Sequence, residues 1–117
     1  MEATYQVIKK HVKSYDPAPS FKAGTHFTLG RRDKMYNSWI WCTDSIGQSA
    51  WVPEQILSCE HGKDAVLKED YDSNELTVEI DETVIGLMVV NGWIRCRNLI
   101  GKEGWVPEDH LEPFNVK

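Results

Sequence analysis

The chain has 117 residues, 41% hydrophobic and 26% charged, with 13 Lys and Arg against 18 Asp and Glu for a net charge of −5. That composition is ordinary for a soluble protein, and no apolar run approaches the ~20 residues a membrane-spanning helix needs. Three cysteines are too few for a disulfide framework, and the start of the chain lacks a basic region followed by an apolar one, so a cytoplasmic protein with no membrane partner is expected.

The charge is uneven along the chain. Residues 1–60 carry seven basic and six acidic side chains, whereas residues 61–117 carry six and twelve. The second half is expected to repel nucleic acid and to attract cationic partners.

Tyr5 to Val12 is rich in β-branched residues and reads as a first strand. Asp16-Pro17-Ala18-Pro19 marks a loop, Phe21 to Thr25 a tight turn at Gly24, and His26 to Gly30 a short alternating strand. Arg31 to Ser38 is a polar loop. Residues 39–57, WIWCTDSIGQSAWVPEQIL, then return at 93–111 as WIRCRNLIGKEGWVPEDHL. Ten positions are identical at an offset of 54, two of them tryptophan and one proline. The chain is therefore read as two copies of one small unit, 1–58 and 65–117, joined by a short linker at 59–64.

Within the repeat, Trp39 to Asp44 and its copy from Trp93 are strands. Ile40 and Cys42 share one face with period two, as do Ile94 and Cys96. The opposite face of the second copy holds Arg95 and Arg97, which a small core cannot accept. The Ile/Cys face is thus the inner one, and Trp39 and Trp93 point outward, either as a binding platform or as a contact between the units. Residues 45–48 and 99–102 are hairpin turns that use Gly47 and Gly101. Trp51-Val52 and Trp105-Val106 lie on return strands that Pro53 and Pro107 end, and Glu54 to Ile56 and Glu108 to His110 suit single 3₁₀ turns. Residues 69–82 carry seven acidic residues and no basic one. Leu76 to Ile80 and Thr83 to Val90 are two more strands, followed by a turn at Asn91-Gly92. The fold class is all-β, two tandem five-stranded small barrels.

Glu75-Leu76-Thr77-Val78, Gly92-Trp93, Gly104-Trp105-Val106-Pro107 and the closing Leu111 resemble a Src-homology-3 (SH3) domain. In the first copy, Phe21 to Thr25, Trp39 and Pro53 carry the same resemblance. It covers nearly the whole chain and is most similar to the bacterial variant branch, in which two such domains follow one another. The resemblance implies a non-catalytic module that binds a peptide or protein surface, with a cationic or proline-containing ligand, and no cofactor. In the second copy it implies a groove of Trp93, Pro107, His110 and Tyr71, with an acidic loop at Glu69, Asp70, Asp72 and Glu75. In the first copy it implies Trp39, Pro53, Ile56 and Tyr15, or a composite site that draws on both copies. The family's closing Tyr is replaced by His110 and Ile56, and the tyrosines of its first strand fall at Leu67 and Glu69. The flat walls of two proline pockets are thus mostly absent, and tight polyproline binding is not expected.

No Ser/His/Asp set, phosphate loop or paired metal-ligand spacing is present, which argues against an enzyme and against a metal site. Two alternatives stand beside the interaction module. Lys9, Lys10, Lys13, Arg31, Arg32 and Lys34 could form a nucleic-acid stripe on the first barrel, or the chain could be an accessory subunit of an enzyme.

Overall fold

The computed structural model describes residues 3–14 and 18–114. The described chain holds twelve strands: β1 (Ala3–Val7), β2 (Ser20–Phe21), β3 (His26–Arg32), β4 (Trp39–Thr43), β5 (Ser49–Pro53), β6 (Leu57–His61), β7 (Asp64–Leu67), β8 (Tyr71–Asp72), β9 (Thr83–Val90), β10 (Trp93–Arg97), β11 (Glu103–Pro107) and β12 (Leu111–Pro113). Single 3₁₀ turns at Glu54–Ile56 and Glu108–His110 follow the two strand-ending prolines, as the sequence predicts. No described helix is long and apolar enough to cross a membrane.

Ten of the strands form two five-stranded antiparallel sheets of identical plan, ordered β11-β10-β9-β1-β12 and β5-β4-β3-β7-β6, and β2 pairs with β8 in a two-stranded one. The all-β expectation, with two five-stranded units, is met. The partition of the chain between them is not the expected one. A terminal unit takes Met1–Pro17 and Asn74–Lys117, and a central unit takes the contiguous stretch Ala18–Ser73. β1 pairs with β9 and β12 of the second repeat, whereas β7, at the head of that repeat, pairs with β3 and β6 of the first. Each repeat thus gives its first strand to the other.

This corrects the division at residues 58 and 64. The supposed linker is β6 and β7 themselves, an antiparallel hairpin through Gly62 in which Leu57 faces Leu67 and Cys59 faces Ala65. A short segment that pairs its backbone groups in a ladder satisfies them better than a solvated connector would. The charge asymmetry of the linear halves also disappears. The central unit carries six basic and eight acidic residues, and the terminal unit carries seven and ten.

The inner face follows the predicted alternation. In the terminal unit Val7, Leu76, Val78, Val84, Ile94, Cys96, Val106 and Leu111 form one buried cluster, with Tyr5 packed against it. Ile40, Cys42 and Val52 are the matching buried positions of the central unit, where Phe21 and Phe27 meet edge to face at 5.0 Å. The predicted strand at Leu76 to Ile80 is irregular instead. It is held by an isolated bridge from His11 to Val78 and a parallel one from Glu75 to Trp105. Both hairpin tips use one device, in which Asp44 Oδ1 accepts hydrogen bonds from the amides of Ile46 and Gln48, and Asn98 Oδ1 from those of Ile100 and Lys102.

Candidate ligand groove

Trp93 opens β10 and stands directly across the ladder from Pro107, the last residue of β11. Proline cannot continue the ladder, so the chain turns there through Glu108–His110 and carries His110 to the same end of the sheet. The third ring comes from the start of the chain. Backbone bonds of 3.0 Å and 2.9 Å in both directions pin His11 to Val78. Its imidazole lies edge-on to Trp93 at 5.9 Å and to His110 at 5.5 Å between ring centroids. Trp93, Pro107 and His110 are half-buried, so the group keeps an accessible face.

Glu75 braces this group from beneath. Its Oε1 is 2.9 Å from His11 Nε2 and accepts hydrogen bonds from the amide and hydroxyl of Ser14 at 3.2 Å and 3.0 Å. Burial alone would raise its pKa, but the hydrogen bonds from His11 and Ser14, with the field of His11, outweigh it and hold the carboxyl below its ordinary 4.5. With its accepting oxygen so engaged, Glu75 orients His11 rather than waiting for a ligand's cation. His110 Nδ1 is buried and has no hydrogen-bond partner among the described residues.

The matching group of the central unit is closed. Val7 faces Leu111 and Leu67 faces Leu57, so Tyr71 and His11, each four residues further on, are equivalent. Tyr71 lies in the central unit and donates its hydroxyl to the Trp51 carbonyl at 2.6 Å, and His11 holds the equivalent place in the terminal unit. Trp39 is 5% exposed, Ile56 6% and Tyr71 7%, and Pro53 is fully buried. Trp39 is thus not an open platform, the first of the two roles expected for it. It is opposite the Ile/Cys face, but it stands across the ladder from the buried Pro53, and its amide and carbonyl are both bonded to the 33–36 loop. Ile56 turns inward because an aliphatic chain at that place has no hydroxyl to keep in water. Tyr15 lies outside the described residues.

The acidic loop does not exist as one element, because the chain passes between the units after Ser73. Glu69, Asp70 and Asp72 belong to the central unit and Glu75 to the terminal one. Asp70 Oδ1 caps the amide of Ala23 at 2.9 Å, and Oδ2 lies 3.7 Å from Lys22 Nζ. The basic residues are divided likewise: Lys9, Lys10 and Lys13 fall in the terminal unit, and Arg31, Arg32 and Lys34 in the central one. Lys10 pairs with Glu79, Arg32 pairs with Glu54, and Arg31 lies over the Trp41 and Trp51 rings at 5.7 Å and 5.2 Å. The nucleic-acid stripe drawn along the first barrel is thereby split between two units.

Sequence reasoning missed His11, because a linear reading leaves it in the other unit from Trp93. Among the described residues no three His, Cys, Asp or Glu side chains gather as metal ligands. Burial pushes the Cys42 and Cys96 thiols up to about 12, where they are poor nucleophiles.

Among known families, the variant SH3 domain matches residues 66–114. The match begins on β7 in the central unit and ends just past β12 in the terminal one, so it follows the linear repeat and not the spatial unit. No curated protein matches the chain. Over residues 66–114 the protein is similar to the variant SH3 domain.

Proposed function

We propose that the protein is a non-catalytic interaction module whose terminal unit takes an extended peptide or protein segment across Trp93, His11, His110 and Pro107. The observation that carries this reading is the contrast between the two equivalent groups. Three rings and a proline keep an accessible face in the terminal unit, while Trp39, Pro53, Ile56 and Tyr71 are buried in the central one. Partly exposed aromatic rings beside a proline give an extended chain a surface on which to lie. The similarity of residues 66–114 to the variant SH3 domain supports the same class of activity.

The test is an NMR titration of the ¹⁵N-labelled chain with a panel of extended peptides, proline-rich and basic ones included. Saturable shifts are expected at the Trp93 indole and the His11 and His110 amides, with the Trp39 indole unmoved. Trp93→Ala should abolish these shifts while leaving the remaining spectrum dispersed. Binding that survives Trp93→Ala would overturn the assignment of the groove.

A further inference from the structure

The two sheets share one plan, so each first strand has two berths open to it, one in its own repeat and one in the other. Both strands present the same ladder groups, and at one position they present the same kind of side chain. Val7 and Leu67 are each 1% exposed and face Leu111 and Leu57 respectively. That position cannot tell the berths apart. Two residues earlier the strands differ.

Tyr5 stands across from Val84, and Ala65, in the matching place, stands across from Phe27. The next inward position of each receiving strand differs in the opposite sense. Gly86 pairs with Cys96 where Leu29 pairs with Cys42, and the two cysteines are the same position of the repeat. A Cβ at Gly86 would lie 2.5 Å from Tyr5 Cε2 and 3.3 Å from Ile94 Cγ2, so the Tyr5 ring occupies the space that a side chain at 86 would fill. The large first-strand residue therefore lies over Val84 and Gly86, and the small one over Phe27 and Leu29. Paired the other way, Tyr5 would meet Phe27 and Leu29 together, and Ala65 would leave a hole over Gly86. Overpacking and cavity would then occur at once, one in each unit.

We propose that these reciprocal volumes, Tyr5 with Gly86 and Ala65 with Leu29, select the exchange of first strands and thereby place His11, rather than Tyr71, beside Trp93. Tyr5 is on this reading a positioning residue. It acts through its strand, which carries His11 to the groove. The proposal concerns which ring stands beside Trp93 and holds whether or not that group takes a peptide.

The test uses the full chain with Tyr5→Ala, Ala65→Tyr and the two combined. Each single change should lower the urea midpoint. The two sites lie in separate units, so their losses should simply add if the pairing is fixed. If volume selects the pairing, the double variant regains a midpoint near that of the native chain, because β1 and β7 change berths. The ring introduced at 65 then shows nuclear Overhauser contacts to Gly86, and the contacts between His11 and the Trp93 indole are lost. The complementary pair Leu29→Gly with Gly86→Leu reverses the code from the receiving side and should have the same outcome. Either double variant folding with the changed contacts supports the proposal. Additive losses, a restored midpoint with His11 still beside Trp93, or failure of both double variants to fold would overturn it.

Discussion

His11 and Glu75 are 64 residues apart in the chain, and their side chains meet at 2.9 Å between Nε2 and Oε1. Each side chain is only 12% exposed, and the pair joins the start of the chain to the second repeat. The folded state holds the Glu75 pKa below 4.5, so the unfolded chain takes up the proton first as pH falls. The stability this group supplies is complete above pH 4.5 and is lost as pH drops through the folded value. Glu75→Gln removes the charge and keeps the shape, and should cost roughly 1–2 kcal/mol at pH 7. Urea unfolding at pH 7 and at pH 3 checks this, with the gap between the two proteins narrowing at the lower pH.

Gly104 and Ala50 occupy the same position of the repeat and pair with Cys96 and Cys42. They are not interchangeable. A Cβ at Gly104 would stand 2.6 Å from the Leu76 amide nitrogen and 2.7 Å from the Glu75 carbonyl carbon, and backbone atoms cannot swing aside as a flexible side chain does. That segment is fixed to β11 by hydrogen bonds of 3.0 Å at both the amide and the carbonyl of Trp105. Gly104→Ala should therefore cost about 1–3 kcal/mol through overpacking. The reverse change, Ala50→Gly, should cost only about 0.5–1 kcal/mol, chiefly through added freedom of the unfolded chain. Denaturant midpoints of the two variants, measured side by side, give the contrast.

The hairpin tips offer a paired measurement. Asp44 and Asn98 are equivalent, and each caps two amides of its own turn, with Gly47 and Gly101 both at φ 89. Removing either cap strands two donors at an exposed tip where water replaces the lost acceptor in part, so Asp44→Ala and Asn98→Ala should each cost about 1 kcal/mol. Because the caps belong to different units, the double variant should lose the sum of the two. Thermal unfolding of the four proteins measures this.

How much of this was legible in the sequence depended on how far apart the deciding residues stand. Alternation placed Ile40, Cys42, Ile94 and Cys96 inside, because a face that also carries Arg95 and Arg97 cannot be a small core. The hairpins and 3₁₀ turns followed from Gly and Pro at fixed offsets. The exchange of first strands did not follow. β1 and β7 have similar patterns, and the choice between berths rests on Tyr5, Gly86, Ala65 and Leu29, whose volumes matter only once a register is known. Three of the differences descend from that one choice. Tyr71 left the Trp93 group, His11 entered it, and the run from Glu69 to Glu82 was divided. The burial of Trp39 was hidden for another reason, since period-two alternation tells which side of a sheet a residue takes and not what covers that side.

The thiols provide a direct test of the inner face that the repeat defines. Cys42 and Cys96 are both 0% exposed, and burial raises each to about 12, whereas Cys59 on β6 is exposed. Attack on a disulfide reagent needs an accessible thiolate, so the buried pair reacts only when the sheet opens. At pH 8 the native protein should release one equivalent of the chromophore rapidly, and the urea-unfolded protein three. Cys59→Ser should abolish the fast phase and leave the two slow thiols, whose rate then reports opening of the two cores. Above pH 9 the unfolded chain ionises thiols that the folded protein keeps protonated, so stability should fall with rising pH, and the slow phase should quicken with it. A fast phase of two or three equivalents in the native protein would mean that the Ile/Cys face is not the interior.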